Sequence, residues 1–169
     1  GPGRFREFLQ FDADFVGTNS LQADAELCVM ISEILEKCGL SKEEYIVKIS
    51  SRKITEELFK KINIDNNDQK LTALRALDKI DRLGWEGVKQ LLGEGRKDKS
   101  GDFTKGANLS LSNIATIENE LKKKIPETED LLEILKLFKD YNFNNFKFDS
   151  SIIRGLEYYT GPIFEVNLK

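Results

Sequence analysis

A chain of 169 residues, 40% apolar and 33% charged, is long enough to bury a core and too apolar for wholesale disorder. Its 26 basic side chains against 29 acidic ones leave a net charge of −3, so no global basic field recruits a polyanion and any such contact must come from a local patch. With no histidine and two cysteines, the sequence excludes zinc sites of the Cys/His type, a disulfide framework and every mechanism built on an imidazole base. Chemistry here must run on carboxylates, arginines, tyrosines and amides. No apolar run approaches the ~18 residues of a membrane helix, and the opening Gly1-Pro2-Gly3-Arg4-Phe5-Arg6 lacks the charged-then-apolar pattern of an export signal. A soluble, cytoplasmic protein is expected.

The first 17 residues alternate. Phe5, Leu9, Phe11, Ala13 and Phe15 share one parity, and Arg4, Arg6, Gln10, Asp12 and Asp14 the other, which predicts a strand with one dry and one polar face. The plainer reading of that polar face is contact with water. The order of its charges, two arginines, an amide and two carboxylates, instead gives it an anion-attracting and a cation-attracting end, with Gln10 and Asp14 roughly 13 Å apart at ~3.3 Å per residue.

A helix follows over 21–38, with Leu21, Ala25, Cys28, Ile31, Leu35 and Cys38 on its apolar stripe, Asn19 or Ser20 as cap and Gly39 as the left-handed stop. Both cysteines are expected in the core. Residues 45–49 read as a strand and 51–62 as a second amphipathic helix with Ile54, Leu58 and Ile62 inward. Asn and Asp then dominate 63–68, which marks a loop and a boundary. A helix is predicted over 69–83 and another over 85–92, broken at Gly84. The stretch from Gly93 to Asn108 is rich in Gly and Lys without periodicity and is expected to be a mobile loop. Helices over 111–124 and 126–141 complete the middle, the second with Pro126 near its first position, Glu127, Glu129 and Asp130 early and Lys136 and Lys139 late, as the helix dipole favours. The tail, 146–149 and 151–166, reads as strands punctuated by Gly155 and by Gly161-Pro162.

Phosphate-binding motifs were tested by their spacing. Gly101 and Gly106 have the gap of a P-loop, but Ala107-Asn108 stand where Lys and Ser or Thr are needed, and Gly93-Glu94-Gly95 lacks the third glycine of a dinucleotide fingerprint. Between 70 and 97, seven basic side chains face four acidic ones, a mild local bias, and Arg96, Lys97, Lys99 and Lys105 could touch an RNA backbone.

The two ends are more specific. The run Arg4-Phe5-Arg6-Glu7-Phe8-Leu9-Gln10-Phe11-Asp12-Ala13-Asp14, followed by Gly17, resembles the second half of motif 2 in class II histidyl-tRNA synthetases of the bacterial type. The run Arg154-Gly155-Leu156-Glu157-Tyr158-Tyr159-Thr160-Gly161-Pro162-Ile163-Phe164-Glu165 resembles that family's histidine-recognition motif. Order and separation by a mainly helical insertion agree as well, so the resemblance covers essentially the whole chain. It implies an α+β fold: part of the class II antiparallel sheet with helices, divided as a catalytic part over 1–62, a helical insertion domain over 63–143 and catalytic strands over 144–169.

The resemblance also implies activation of histidine by ATP, accompanied by Mg2+, and transfer to tRNA(His) by a homodimeric parent, with no metal held by this stretch. Carried over position by position, Arg154 is the catalytic cation beside the α-phosphate and the histidine carboxylate, and Arg4 reaches the terminal phosphates of ATP. Fixed positive charge is what a crowded phosphorus centre requires, and a guanidinium supplies it without acting as a base. Gln10 would hold the substrate α-amino group, Asp14 would accept a hydrogen bond from the imidazole, and Tyr158 and Tyr159 would close the ring pocket. A pocket that pairs both ring nitrogens rejects Phe or Leu, which leave buried polar groups unpaired. Arg6 matches the motif without an assignable role; Asp12 reads as a strand-face carboxylate.

Motif 1, the first half of motif 2, motif 3 and the anticodon-binding domain of that family are not in the sequence, so the chain is expected to be a fragment, inactive alone. The alternatives are the regulatory paralogue of ATP phosphoribosyltransferase in histidine biosynthesis, a tRNA-binding module without catalysis, and a structural piece without activity. The paralogue usually lacks both the insertion and the arginine at position 154, which are present here.

Overall fold

The fold is that of a computed structural model, which describes residues 7–123, 128–153 and 160–169. The elements run α1 (Leu21–Lys37), β1 (Tyr45–Ser51), α2 (Arg52–Lys61), α3 (Asn67–Leu77), α4 (Ile80–Leu92), β2 (Gly95–Lys97), β3 (Phe103–Lys105), α5 (Leu111–Leu121), α6 (Glu129–Asp140), β4 (Phe146–Phe148) and β5 (Pro162–Leu168). Helices and small sheets together give the expected α+β class. Among the described residues no helix is long and apolar enough to cross a membrane.

One sheet has the order β4-β1-β5, with β1 and β5 antiparallel in register Val47 to Val166, and β1 and β4 parallel with Val47 opposite Phe146. The parallel pair follows from connectivity, because α2 to α6 lie between its strands and carry the chain back to the same end. Alternation along β1 buries Tyr45, Val47 and Ile49 completely. Onto that face pack Ala25 and Cys28 of α1 and Leu131, Ile134 and Phe138 of α6, forming one core with Phe143. A second core joins Leu58 and Phe59 of α2 to the apolar faces of α3, α4 and α5. Ile54 of α2 is packed against both. Helix α6, inside the stretch 63–143, thus belongs to the sheet core, whereas α3 to α5 belong to the other.

Several expectations are corrected. Residues 8–16 form no strand and lie exposed, with Phe8 at 72% and Leu9 at 101% of full accessibility. Alternation specifies two faces but supplies no partner; β1 is already flanked on both sides, and no other described strand pairs with this segment. Cys38 is exposed because it is the C-cap residue of α1, outside the buried stripe, whereas Cys28 is buried as expected. The single helix expected over 69–83 is two: Lys79 (φ −97°, ψ 8°) leaves the helix, and its N–H bonds the Ala76 carbonyl in a tightened turn. Gly84 does break the next helix, at φ 64° and ψ 174°, a conformation that favours glycine.

The expected mobile loop after Gly93 is the β2–β3 hairpin. Its turn is closed by Asp98 and Asp102, whose backbones pair at 2.9 Å, while the Asp98 carboxylate accepts from the Ser100 and Asp102 N–H groups at 2.8 and 3.0 Å. Strands of three residues are too short to show a period. Helix α6 begins at Glu129 with Thr128 as cap residue, later than expected; Pro126 and Glu127 lie outside the described residues. Of the two strands expected over 151–166, β5 is present, residues 151–153 are not strand, and 154–159 lie outside the described residues.

Candidate functional site

A cavity of about 520 Å³ opens where the first segment of the chain meets the last. Ala13, Asp14 and Phe15 form one wall, Thr160, Gly161 and Pro162 another. Between them stand the first turns of three helices: Leu21, Ala23 and Asp24 of α1, Lys53 of α2 and Asp130 of α6. Helix N-termini carry unpaired N–H groups and a positive partial charge. Asp24 and Asp130 offset that charge, and Lys53 adds to it. The lining therefore sets one cation, Lys53, among three carboxylates, Asp14, Asp24 and Asp130, so that charges of both signs surround one cavity.

A chain of hydrogen bonds ties the walls together. Ser51 Oγ donates to Asp130 Oδ2 at 2.6 Å and accepts from the Lys53 N–H at 3.2 Å, which caps α2. The next N–H, that of Arg52, donates to the Gly161 carbonyl at 2.9 Å. The position of Gly161 is thus set by the same strand-to-helix turn that buries the Asp130 carboxylate, 2% exposed. Burial, and then the nearby charge of Asp130, hold the Asp24 carboxyl above the usual carboxylate range. Burial and then Asp24 push the Cys28 thiol up as well, which leaves it a core side chain rather than a nucleophile.

Away from the cavity lining, Lys48 Nζ of β1 lies 3.1 Å from Asp149, and the Asp149 carboxylate accepts from the Ser151 N–H at 3.2 Å. Burial alone would raise the Asp149 pKa; the Ser151 hydrogen bonds and Lys48 outweigh it and hold the group below its ordinary value.

Of the residues singled out from sequence, Asp14 lines the cavity, and Gln10 lies on the exposed segment without lining it. Arg4, Arg6, Arg154, Gly155, Leu156, Glu157, Tyr158 and Tyr159 lie outside the described residues. Thr160, the next residue after Tyr159, is in the cavity wall. Sequence reasoning passed over Asp24, Ser51, Lys53 and Asp130. The available signal was their place at helix starts: Asp130 was read as a first-turn acid favoured by the helix dipole, and Asp24, Ser51 and Lys53 were given no role. Among the described residues no group of three or more His, Cys, Asp or Glu could hold a metal ion.

The family model described as "Histidyl-tRNA synthetase" matches residues 1–168. A curated relative, the histidine–tRNA ligase of Bartonella henselae, is 42% identical over 193 aligned residues, covering 99% of this chain and 39% of the relative. Among solved structures, the histidyl-tRNA synthetase of Nostoc sp. PCC 7120 superposes with a TM-score of 0.72 at 22% identity, over 89% of this chain and 37% of that one. The ATP phosphoribosyl transferase complex of Thermotoga maritima contains a chain that superposes with a TM-score of 0.54 at 20% identity, over 88% of this chain and 52% of that one. These two superpositions concern the fold. The chain spans about 39% of the length of the first curated relative.

Proposed function

The chain belongs to the histidyl-tRNA synthetase family, and from that premise we propose that it is part of the catalytic region of a histidine–tRNA ligase. The parent would join histidine to ATP as histidyl-adenylate, with Mg2+ as counter-ion of the nucleotide phosphates, and pass the histidyl group to tRNA(His), acting as a homodimer in the cytoplasm. The 169-residue chain by itself would not complete that reaction. Residues 1–62 and 144–169 would be catalytic and the intervening helices an insertion, with α6 counted to the sheet side because its apolar face packs there.

One observation carries this reading: Asp14, at the end of the first motif, lines the same cavity as Thr160 to Pro162, which continue the second. Two runs nearly 150 positions apart in sequence that share a cavity are suited to enclose one guest. In the proposed mechanism Arg154 stabilises charge at the α-phosphate and the substrate carboxylate, Arg4 holds the terminal phosphates, Gln10 takes the α-amino group, and Asp14, Tyr158 and Tyr159 surround the imidazole. Electrostatic stabilisation of this kind is worth roughly 10²–10³ in rate per donor.

The test grafts residues 1–168 into the Bartonella henselae ligase in place of its matching stretch and measures histidine-dependent pyrophosphate exchange. Exchange is expected in the graft. Arg154→Ala should lower it by ~10² or more, and Asp14→Ala should raise the KM for histidine more than it lowers kcat. Wild-type exchange in Arg154→Ala would remove the central assignment.

A further inference from the structure

The turn from β1 into α2 holds more hydrogen bonds than a helix start requires. A helix leaves its first N–H groups without intrahelical acceptors, and one side-chain oxygen at the cap ordinarily satisfies one of them. Here Ser51 Oγ accepts from the Lys53 N–H at 3.2 Å and also donates to Asp130 Oδ2 at 2.6 Å. Asp130 Oδ1 accepts from the N–H of Leu131 at 3.0 Å. Each carboxylate oxygen therefore has a donor, and the side chain is fixed in the first turn of α6, where the helix dipole favours an anion. Ser51 and Asp130 are each 2% exposed, and the bond between them spans 79 positions in sequence.

Arg52, the first residue of α2, is tied on both sides. Its N–H donates to the Gly161 carbonyl at 2.9 Å, and its own carbonyl accepts from Thr55 Oγ1 at 2.9 Å. The bond to Gly161 continues the β1–β5 ladder one step beyond the pair Ser51 and Pro162. Where Gly161 sits thus depends on Ser51, whose φ of −142° and ψ of 143° turn the chain from strand to helix. Thr160, the residue before it, lines the candidate cavity and also a second one of about 470 Å³ between α2 and α3. The Gly161 bond therefore sets how far the closing run, Thr160 to Pro162, reaches over each.

The geometry points to Ser51 and Asp130 as positioning residues: Asp130 holds the Ser51 hydroxyl, Ser51 sets the turn, and the Arg52 N–H that the turn presents holds Gly161 across the cavity from Asp14. Packing alone does not call for this arrangement. A buried carboxylate costs free energy that an apolar side chain of similar volume avoids, and Asp24 nearby adds repulsion. That the run so held closes on histidine rests on the proposed reading, in which Arg154, Tyr158 and Tyr159 stand just before it in the chain. A misplacement of about 1 Å in such a run costs up to ~10² in rate, so a bond remote from the reacting atoms can govern them.

The test has two arms. In the 169-residue chain, amide hydrogen exchange followed by nuclear magnetic resonance reads the Arg52 N–H directly. Ser51→Ala and Asp130→Ala should each speed its exchange about tenfold, while the Val47 N–H, bonded to the Asn145 carbonyl, keeps its wild-type rate. Ser51→Thr, which retains the hydroxyl, should restore the slow rate. In the Bartonella henselae graft, both alanine variants should raise the KM for histidine about tenfold and leave that for ATP within about twofold, with Ser51→Thr near wild type. Loss of folded enzyme lowers kcat and moves neither KM, so the split separates positioning from stability. Circular dichroism reports whether each variant folds, and Ser51→Ala, the loss of one hydroxyl, carries the test where Asp130→Ala does not fold. A wild-type Arg52 exchange rate in folded Ser51→Ala, or a wild-type KM for histidine in a graft carrying either alanine, overturns the proposal. A graft without pyrophosphate exchange before any of these substitutions counts against the family reading instead, and the Arg52 amide still decides the placement.

Discussion

Asp24 and Asp149 are pulled in opposite directions by their surroundings. Asp24 is held above its ordinary pKa of 3.8 by burial and by Asp130, so the folded chain retains a proton there that the unfolded chain has released. The stability gained from that proton is present below pH 3.8 and is lost as pH rises through the folded value. At pH 7 the ionised group is a net cost, and Asp24→Asn should raise the melting temperature by a few degrees at most, equivalent to less than about 1 kcal/mol after allowance for solvent screening. The gain should shrink as the pH is lowered toward 3.8, and differential scanning calorimetry at several pH values measures it. For Asp149 the sign reverses. Its pKa lies below 3.8, so its contribution is present above that value and is lost as pH falls through the folded pKa. Asp149→Asn should cost about 1–2 kcal/mol at pH 7, through the Lys48 and Ser151 contacts, and nothing once the carboxylate is protonated. A cost in urea titrations that does not fall as the pH is lowered step by step from 7 would show that shape and not charge matters at this position. Neither residue could be ranked from sequence, because the Asp24 shift comes first from burial and then from Asp130, and the Asp149 shift from the balance of burial against Ser151 and Lys48, all of which are set only once the chain has packed.

At the scale of elements, legibility tracked length. Helix α1 was readable from its stripe, its Ser20 cap and Gly39 at φ 98°, and β1 from its alternation. The segment 8–16 has an equally clear period and yet is no strand, because a period reports which sides differ and says nothing about whether a neighbour is there to accept the hydrogen bonds. The hairpin shows the converse: it has almost no pattern but a closed turn and a crowded base. At that base Gly106 admits no side chain, since a Cβ would stand 2.2 Å from the Gly93 carbonyl and 2.7 Å from that of Leu91. Its N–H donates to the Glu94 carbonyl at 2.9 Å, and the next two residues bond back to Leu91 and Gly93. Gly106→Ala must push these backbones apart and should cost about 2–4 kcal/mol, with a lower urea midpoint and an unchanged m-value. A loss under 0.5 kcal/mol would mean that the hairpin base yields freely. The candidate site was legible in the same uneven way. Asp14 could be named because a motif surrounds it, whereas Asp24, Lys53 and Asp130 come together only after three helices have packed.

Across the whole molecule, two cores are joined through a narrow bridge. The sheet core holds β1, α1 and α6, and the helical core holds α3, α4 and α5. Helix α2 spans them: Leu58 and Phe59 are buried in the helical core, Ile54 packs on both, and the turn at its start fastens Asp130 through Ser51. If Ile54 is what makes the two cores melt together, removing its side chain should weaken their coupling more than it weakens either core. The chain has one tryptophan, Trp85, which packs on the helical core. Its fluorescence therefore follows that core, while far-ultraviolet circular dichroism follows both. In the parent chain the two probes should give one coincident urea transition, as a cooperative domain does. Ile54→Ala should cost about 2–4 kcal/mol in total and should separate the curves. Ile54→Val, which keeps most of the contact, should lower the midpoint slightly without separating them. Coincident curves in Ile54→Ala would show that the cooperativity is carried elsewhere, with the Ser51 and Asp130 hydrogen bond the next candidate. A coupling energy near zero in the double-mutant cycle of Ser51→Ala with Asp130→Ala would then dismiss that bond too.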